Sequence, residues 1–230
     1  MSPTPKNATT PFKQLLLACA AFGLMASAQA ATTLETIKQS NSIRIGYANE
    51  TPFAFTETDG RVTGESPEIA KIIFEKMGIK KVDGVLTEWG SLIPGLRAGR
   101  FDVIAAGMYI TPARCKQVIF TDPQYQLPDT LLVAKGNPKN LHSYADVAKN
   151  PEVKLAIMAG TVNLAYARDS GVKEAQILQV PDTTAQLQAV RAGRADAAVG
   201  TQLTMKGLAK KGGEKVEAIS DFTDDPSHTG

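Results

Sequence analysis

The sequence predicts an α/β fold in two lobes, with mainly parallel sheet. Three observations predict it. Short apolar strand runs alternate with helical stripes along most of the chain. One unit occurs twice: Leu96-Arg97-Ala98-Gly99-Arg100-Phe101-Asp102-Val103 is echoed by Val190-Arg191-Ala192-Gly193-Arg194-Ala195-Asp196-Ala197. Each copy is a helix end, a glycine stop and an aspartate entering an apolar strand, as expected of two similar lobes. Finally, 43% of the residues are hydrophobic and there are two cysteines, Cys19 and Cys115, so a core rather than a disulfide framework must hold the fold.

The N-terminus reads as an export signal over residues 1–30. Lys6 and Lys13 supply the positive segment, residues 15–25 the short apolar run, and Ala28-Gln29-Ala30 the small-residue cleavage site. Leu16-Leu17-Ala18-Cys19 partly fits a lipid-attachment pattern, with Leu17 a poor residue in its place. Residues 42–47 form a half-buried strand with Ile43, Ile45 and Tyr47 on one face. Ser66-Pro67-Glu68 opens a helix, Ser66 as its N-cap. Ile69, Ile72, Ile73 and Met77 make that helix's apolar stripe, and Gly78 stops it. A strand near 82–86 and a helix near 92–98 follow. The run 101–106 reads as a strand covered on both faces, and Thr111-Pro112 starts another helix.

The pattern then begins again. Residues 130–134 form a strand and Gly136-Asn137-Pro138 a turn. Ser143 caps a short helix, 153–158 is a strand, and Gly160-Thr161 leads into a helix ended by Gly171. Segments 177–180, 184–191, 195–199 and 203–210 continue the alternation. The predicted division is lobe 1 over 31–125, lobe 2 over 126–220, and a return towards lobe 1 over 221–230.

Cleavage after Ala30 removes two lysines and cancels the formal charge of +2. A neutral chain without a basic cluster is a poor nucleic-acid binder. The sequence carries no glycine-rich phosphate loop and no paired-histidine or paired-cysteine metal pattern, so no cofactor or metal is expected. Cys115 reads as a small helix residue, because neither His142 nor His228 has a triad context. Catalysis would have to rest on Glu50, Glu65 or Glu88, and no pairing is visible among them.

What the sequence does show is a recognition set at strand ends, where ligands sit in open α/β sheets. The two echoed strands reach Gly107 and Gly200, which places Met108-Tyr109 and Thr201-Gln202 at the mouths of the lobes. Arg114, on the first turn of the Thr111-Pro112 helix, can hold a carboxylate through two parallel hydrogen bonds, or it is an ordinary solvated helix arginine. Gly160-Thr161 offers an anion nest with free N–H groups and a hydroxyl, or a plain N-cap. Phe53, Trp89 and Tyr109 follow three successive strands. They could surround a cation, or each could pack in the core.

The chain resembles the solute-binding proteins that serve polar amino acid importers. The matching stretches are Ile43-Arg44-Ile45-Gly46, Pro52-Phe53-Ala54-Phe55, Trp89-Gly90-Ser91-Leu92-Ile93-Pro94-Gly95-Leu96, Gly99-Arg100-Phe101-Asp102-Val103-Ile104, Thr111-Pro112-Ala113-Arg114, Phe120-Thr121-Asp122-Pro123, Gly160-Thr161 and Gly193-Arg194-Ala195-Asp196-Ala197. The resemblance implies the two-lobed periplasmic-binding-protein fold of type II, closing on its ligand by hinge motion. It implies Arg114 on the ligand carboxylate, helped by Thr161, with Phe53 and Trp89 lining the pocket. It also implies an extracytoplasmic monomer that delivers a small zwitterion to the membrane permease of an ABC importer.

Two departures refine the ligand. Thr201 stands where members that bind ordinary amino acids place an aspartate for the ammonium, and Glu50 precedes Thr51-Pro52-Phe53 where no acid is needed. An unpaired buried charge is costly, so the expected ligand carries a delocalised cation that Glu50 pairs and Phe53, Trp89 and Tyr109 stack on. Ectoine and hydroxyectoine fit, and Gly64-Glu65-Ser66-Pro67-Glu68-Ile69-Ala70 resembles the subgroup that binds them. A betaine or polar amino acid is the alternative. A dehydratase on the same fold, with Glu50 as acid/base, and a sensory module are the more distant ones. The resemblance further implies elements beyond Gly230 that complete the core of lobe 1, whose loss would cost several kcal/mol.

Overall fold

A computed structural model describes residues 33–224 and 228–230. The export-signal reading and Cys19 lie outside the described residues. Helix α1 spans Thr33–Ser40, and the compact unit Ile37–Gly230 holds every later element.

The first half of that unit is built from β1 (Ser42–Tyr47), the hairpin β2 (Phe55–Thr56) and β3 (Val62–Thr63), α2 (Glu65–Lys76), β4 (Lys81–Leu86), α3 (Leu92–Arg97), β5 (Val103–Ile104) and α4 (Pro112–Cys115). Strands β4, β1 and β5 form a parallel sheet in that order. After β6 (Gln126–Leu127), the second half follows as β7 (Asp129–Ala134), α5 (Tyr144–Lys149), β8 (Leu155–Met158), α6 (Asn163–Asp169), β9 (Ile177–Val180), α7 (Thr183–Arg191), β10 (Ala197–Thr201), α8 (Gln202–Gly212) and β11 (Val216–Ala218). Its sheet runs β11-β7-β10-β8-β9. A last strand, β12 (His228–Thr229), pairs antiparallel with β6.

The echoed unit folds the same way twice. Gly99 and Gly193 both take the left-handed conformation, at φ 67° and 66°, which glycine adopts without steric cost. The Asp102 and Asp196 carboxylates each accept the backbone N–H of the neighbouring strand, from Arg44 at 2.9 Å and Lys154 at 2.8 Å. The amides of the same two aspartates return bonds to the Arg44 and Lys154 carbonyls. These aspartates are therefore fasteners at the far ends of β5 and β10, away from the cleft.

The second sheet is less parallel than expected. Strand β7 runs antiparallel to both β10 and β11. It starts beside the first lobe and runs away from it, whereas β8 and β10 run back and deliver Met158 and Thr201 to the cleft. Leu131, Val133, Leu155, Ile157, Ala197 and Val199 face one core, and Leu132, Ala156 and Ala198 face the opposite one. That alternation is what a sheet covered on both faces produces.

Lobe 1 departs further from the sequence reading. The run 101–106 contributes only Val103–Ile104 as strand, although Phe101, Ala105 and Ala106 are buried. Helix α2 begins at Glu65, with Gly64 rather than Ser66 as its N-cap. Its buried side is Ser66, Pro67 and Ala70, with Phe74 packed beside Ile45 and Ala105. Of the expected stripe, Ile72, Ile73 and Met77 are exposed. Ile69 and Ile73 border an apolar groove shared with Val118, Ile119 and Phe120.

Candidate functional site

A cavity lies where the carboxyl ends of β1, β5, β8 and β10 meet, as the strand-end rule requires. Glu50, Trp89, Gly107, Tyr109, Arg114, Thr161 and Thr201 all line it. Phe53, the eighth expected residue, does not. It is 2% exposed and stacks on Tyr125, with ring centroids 5.1 Å apart. Its ring fills the space behind Gly107, where a Cβ would meet Phe53 at 2.8 Å. Phe53 thus backs the wall that Gly107 forms.

Arg114 reaches the cavity from the first turn of α4. Thr111 Oγ1 caps that turn by accepting the Arg114 amide. The guanidinium is buried, donating from Nη1 to Tyr109 O at 2.9 Å and from Nη2 to Gly160 O at 3.3 Å. The second of these bonds crosses from lobe 1 to lobe 2. A guanidinium carries five N–H groups, so these two bonds fix its plane and leave others for an anion. Burial pulls the Arg114 pKa down, yet an arginine stays charged in proteins.

Glu50 faces it from the loop after β1, in a tight turn where Phe53 and Ala54 both donate to the Glu50 carbonyl. Its carboxyl is buried and accepts from Thr204 Oγ1 at 2.9 Å. Desolvation pushes its pKa up to about 7, against the opposing pull of Thr204 and Arg114. Thr204 in turn accepts from Thr201 Oγ1 at 2.8 Å, and Thr201 Oγ1 caps α8 by accepting the Thr204 amide. Thr201 therefore lines the cavity while its hydroxyl organises the helix that holds Glu50 across the cleft.

Tyr109 donates to Asp129 Oδ1 at 3.2 Å, and Asn163 Nδ2 bonds Asp129 Oδ2 and Tyr144 Oη. Burial first, and then the charge of Asp129, raise the Tyr109 pKa well above the usual phenol range, so it remains a donor. The expected nest at Gly160-Thr161 is only partly available. The Thr161 amide and hydroxyl both donate to Met158 O, at 3.3 and 2.8 Å, because the chain turns tightly out of β8.

Sequence reasoning missed Asn163, Thr204 and Asp129. Asn163 and Thr204 stand three residues after Gly160 and Thr201, which the sequence had marked; that spacing was the available signal. Asp129 begins a strand with Thr130 beside it and four apolar residues after, and nothing local distinguishes it. Among the described residues no cluster of three or more His, Cys, Asp or Glu could hold a metal ion.

This geometry has relatives. The chain is 42% identical, over 93% of its length and 72% of the other's, to a probable amino-acid ABC transporter periplasmic-binding protein of Sinorhizobium fredii. It superposes on the crystal structure of EhuB in complex with hydroxyectoine at a TM-score of 0.82 and 34% identity, covering 86% of this chain and 77% of that one. It also matches an ancestral amino acid-binding protein, a precursor of cyclohexadienyl dehydratase, at 0.76 and 34% identity, covering 86% and 85%. Residues 43–222 match the family model for bacterial extracellular solute-binding proteins, family 3. By that match and by a cleft at the strand ends of two sheets, the chain belongs to family 3 of the bacterial extracellular solute-binding proteins.

Proposed function

We propose that this chain is the extracytoplasmic solute-binding component of an ABC importer, and that its ligand is a small zwitterion pairing a carboxylate with a delocalised cation, as in ectoine or hydroxyectoine. The observation that carries this reading is the buried pair Arg114 and Glu50 on one cavity, which Trp89 and Tyr109 also line. Arg114 takes the carboxylate. Glu50 takes the positive end, and the aromatic faces favour a spread charge over a compact ammonium. A threonine at 201 leaves Glu50 as the carboxylate on the cavity wall for that role. The hydroxyectoine carried by one structural neighbour and the transporter assignment of the Sinorhizobium relative support the reading. On this reading the protein acts as a monomer, with one docking surface of each lobe meeting the permease.

Trp89 is the single tryptophan and reports on its own pocket. Titration of the purified chain with ectoine, hydroxyectoine, glycine betaine and a panel of L-amino acids, followed by tryptophan emission and calorimetry, tests the proposal. Saturable binding of the two ectoines alone is expected. Binding of ordinary amino acids instead would overturn the ligand. A second reading, a dehydratase, is favoured by the raised pKa of the buried Glu50, which suits an acid catalyst. Turnover of cyclic hydroxy acids, lost in Glu50→Gln, would establish it.

A further inference from the structure

We propose that the indole N–H of Trp89 is a second carboxylate donor, acting with Arg114 on the bound solute; this rests on the reading of the cavity as a zwitterion site. Trp89 is 6% exposed, and its Nε1 has no hydrogen-bond acceptor among the described residues. A buried donor left without an acceptor is unfavourable enough that native structures rarely keep one without a use. The residue lines the cavity, so an acceptor can come from a ligand.

The position of the ring says which acceptor. A Cβ built on Gly160 would lie 3.6 Å from Trp89 Cδ1, the ring atom bonded to Nε1. Arg114 Nη2 donates to the carbonyl of the same Gly160, and the guanidinium carbon lies 6.0 Å from the Trp89 ring centroid. Both side chains therefore meet at the Gly160 corner of the cavity. Thr161, the donor that the family resemblance assigns there, spends its amide and hydroxyl on Met158 O. A carboxylate has two oxygens and accepts charge-assisted bonds in more than one direction. Arg114 satisfies one oxygen, and the unpartnered Trp89 indole is a side-chain donor for the other. Glu50, the carboxylate of the cavity wall, accepts from Thr204 and is not a partner of the Trp89 indole.

The chain has a single tryptophan, so a ¹H–¹⁵N spectrum contains one indole resonance. On saturation with the best carboxylate ligand of the panel, the indole proton is expected to move downfield and exchange more slowly with solvent. Trp89→Phe keeps an aromatic face but loses the donor. It is expected to weaken ectoine and hydroxyectoine equally, by about 10- to 100-fold. An indole proton that stays in place while calorimetry shows saturation overturns the proposal without touching the ligand reading. A loss confined to hydroxyectoine also overturns it, assigning the N–H to the ligand hydroxyl. Binding of an L-amino acid with the same downfield shift overturns the ectoine reading and leaves the donor assignment standing. Absence of binding by every carboxylate overturns both.

Discussion

Glu50 ties the chemistry of the cavity to pH. Burial holds its pKa near 7 in the ligand-free chain, so below that value the group is neutral and offers a cation no charge. A solute with a positive ring must therefore displace a proton to bind at low pH. Affinity is expected to rise about tenfold per unit as pH increases towards 7 and to level off above it. The stability of the ligand-free chain runs the other way. A carboxyl whose folded pKa lies above its unfolded value of 4.5 contributes stability below pH 4.5, and loses it as pH rises through about 7. Glu50→Gln keeps an acceptor for Thr204 and removes the titration. Calorimetric titrations between pH 5.5 and 8.5 should find the variant weak and flat, and its melting temperature should lack the decline. A wild-type affinity independent of pH over that range would show that Glu50 does not meet the cation. Glu50 was legible in the sequence because it departs from the family pattern, and Arg114 because it follows one. Asp129 and Thr204 were not, since each matters through a partner on a distant element: Tyr109 for the first and Glu50 for the second.

At the scale of elements, the start of α2 shows where sequence rules meet tertiary competition. Ser66-Pro67 has the form of an N-cap followed by a first-position proline. In the fold, Gly64 takes that place at φ 118°, where a Cβ would sit 2.6 Å from Phe53 O. The amides of Glu65 and Ser66 donate to the carbonyls of Pro52 and Phe53. The loop bearing Glu50 thus caps the helix, and Ser66 Oγ is released to accept the Gly107 amide at 3.0 Å. Ser66 therefore fixes a cavity residue. Ser66→Ala leaves that amide without its partner and is expected to lower the unfolding free energy by ~1–3 kcal/mol, read from the urea midpoint, with weaker ligand binding at temperatures where the variant is folded. An unchanged midpoint would show that the Gly107 amide finds another acceptor. The apolar stripe of α2 was also misread, for a related reason. Periodicity reports that a face is apolar, not which neighbour covers it. Ala70 and Phe74 take the sheet, while Ile73 borders the groove near Ile119.

At the scale of the whole molecule, the echoed helix–glycine–aspartate unit made two lobes legible, because both copies use the same local physics. Their contact was not legible, because it depends on backbone approach between segments far apart in sequence. Gly90, in the turn Trp89–Ser91, and Gly160, after β8, meet at the cavity edge, where a Cβ on Gly160 would lie 2.6 Å from Gly90 Cα. The lobes are joined there by Arg114 Nη2 to Gly160 O, and elsewhere along the cleft by Thr204 to Glu50 and Thr183 to Asn49 O. Bringing these donors together depends on a glycine at 160. Gly160→Ala adds a clash between lobes and also strains a left-handed residue, at φ 81°. Gly171 separates the two effects: it is left-handed at φ 89°, but its Cβ would meet Ala148 at an ordinary 3.8 Å. Both alanine variants are expected to lose about 1 kcal/mol of stability from backbone strain. Only Gly160→Ala should also lose affinity, by at least about tenfold, mainly through faster dissociation from lobes that no longer close fully. Stopped-flow tryptophan fluorescence gives the rates, and small-angle scattering with saturating ligand gives the compaction. If Gly160→Ala binds and compacts like Gly171→Ala, the Gly90–Gly160 contact does not govern closure, and the hydrogen bonds across the cleft are sufficient to hold the lobes together.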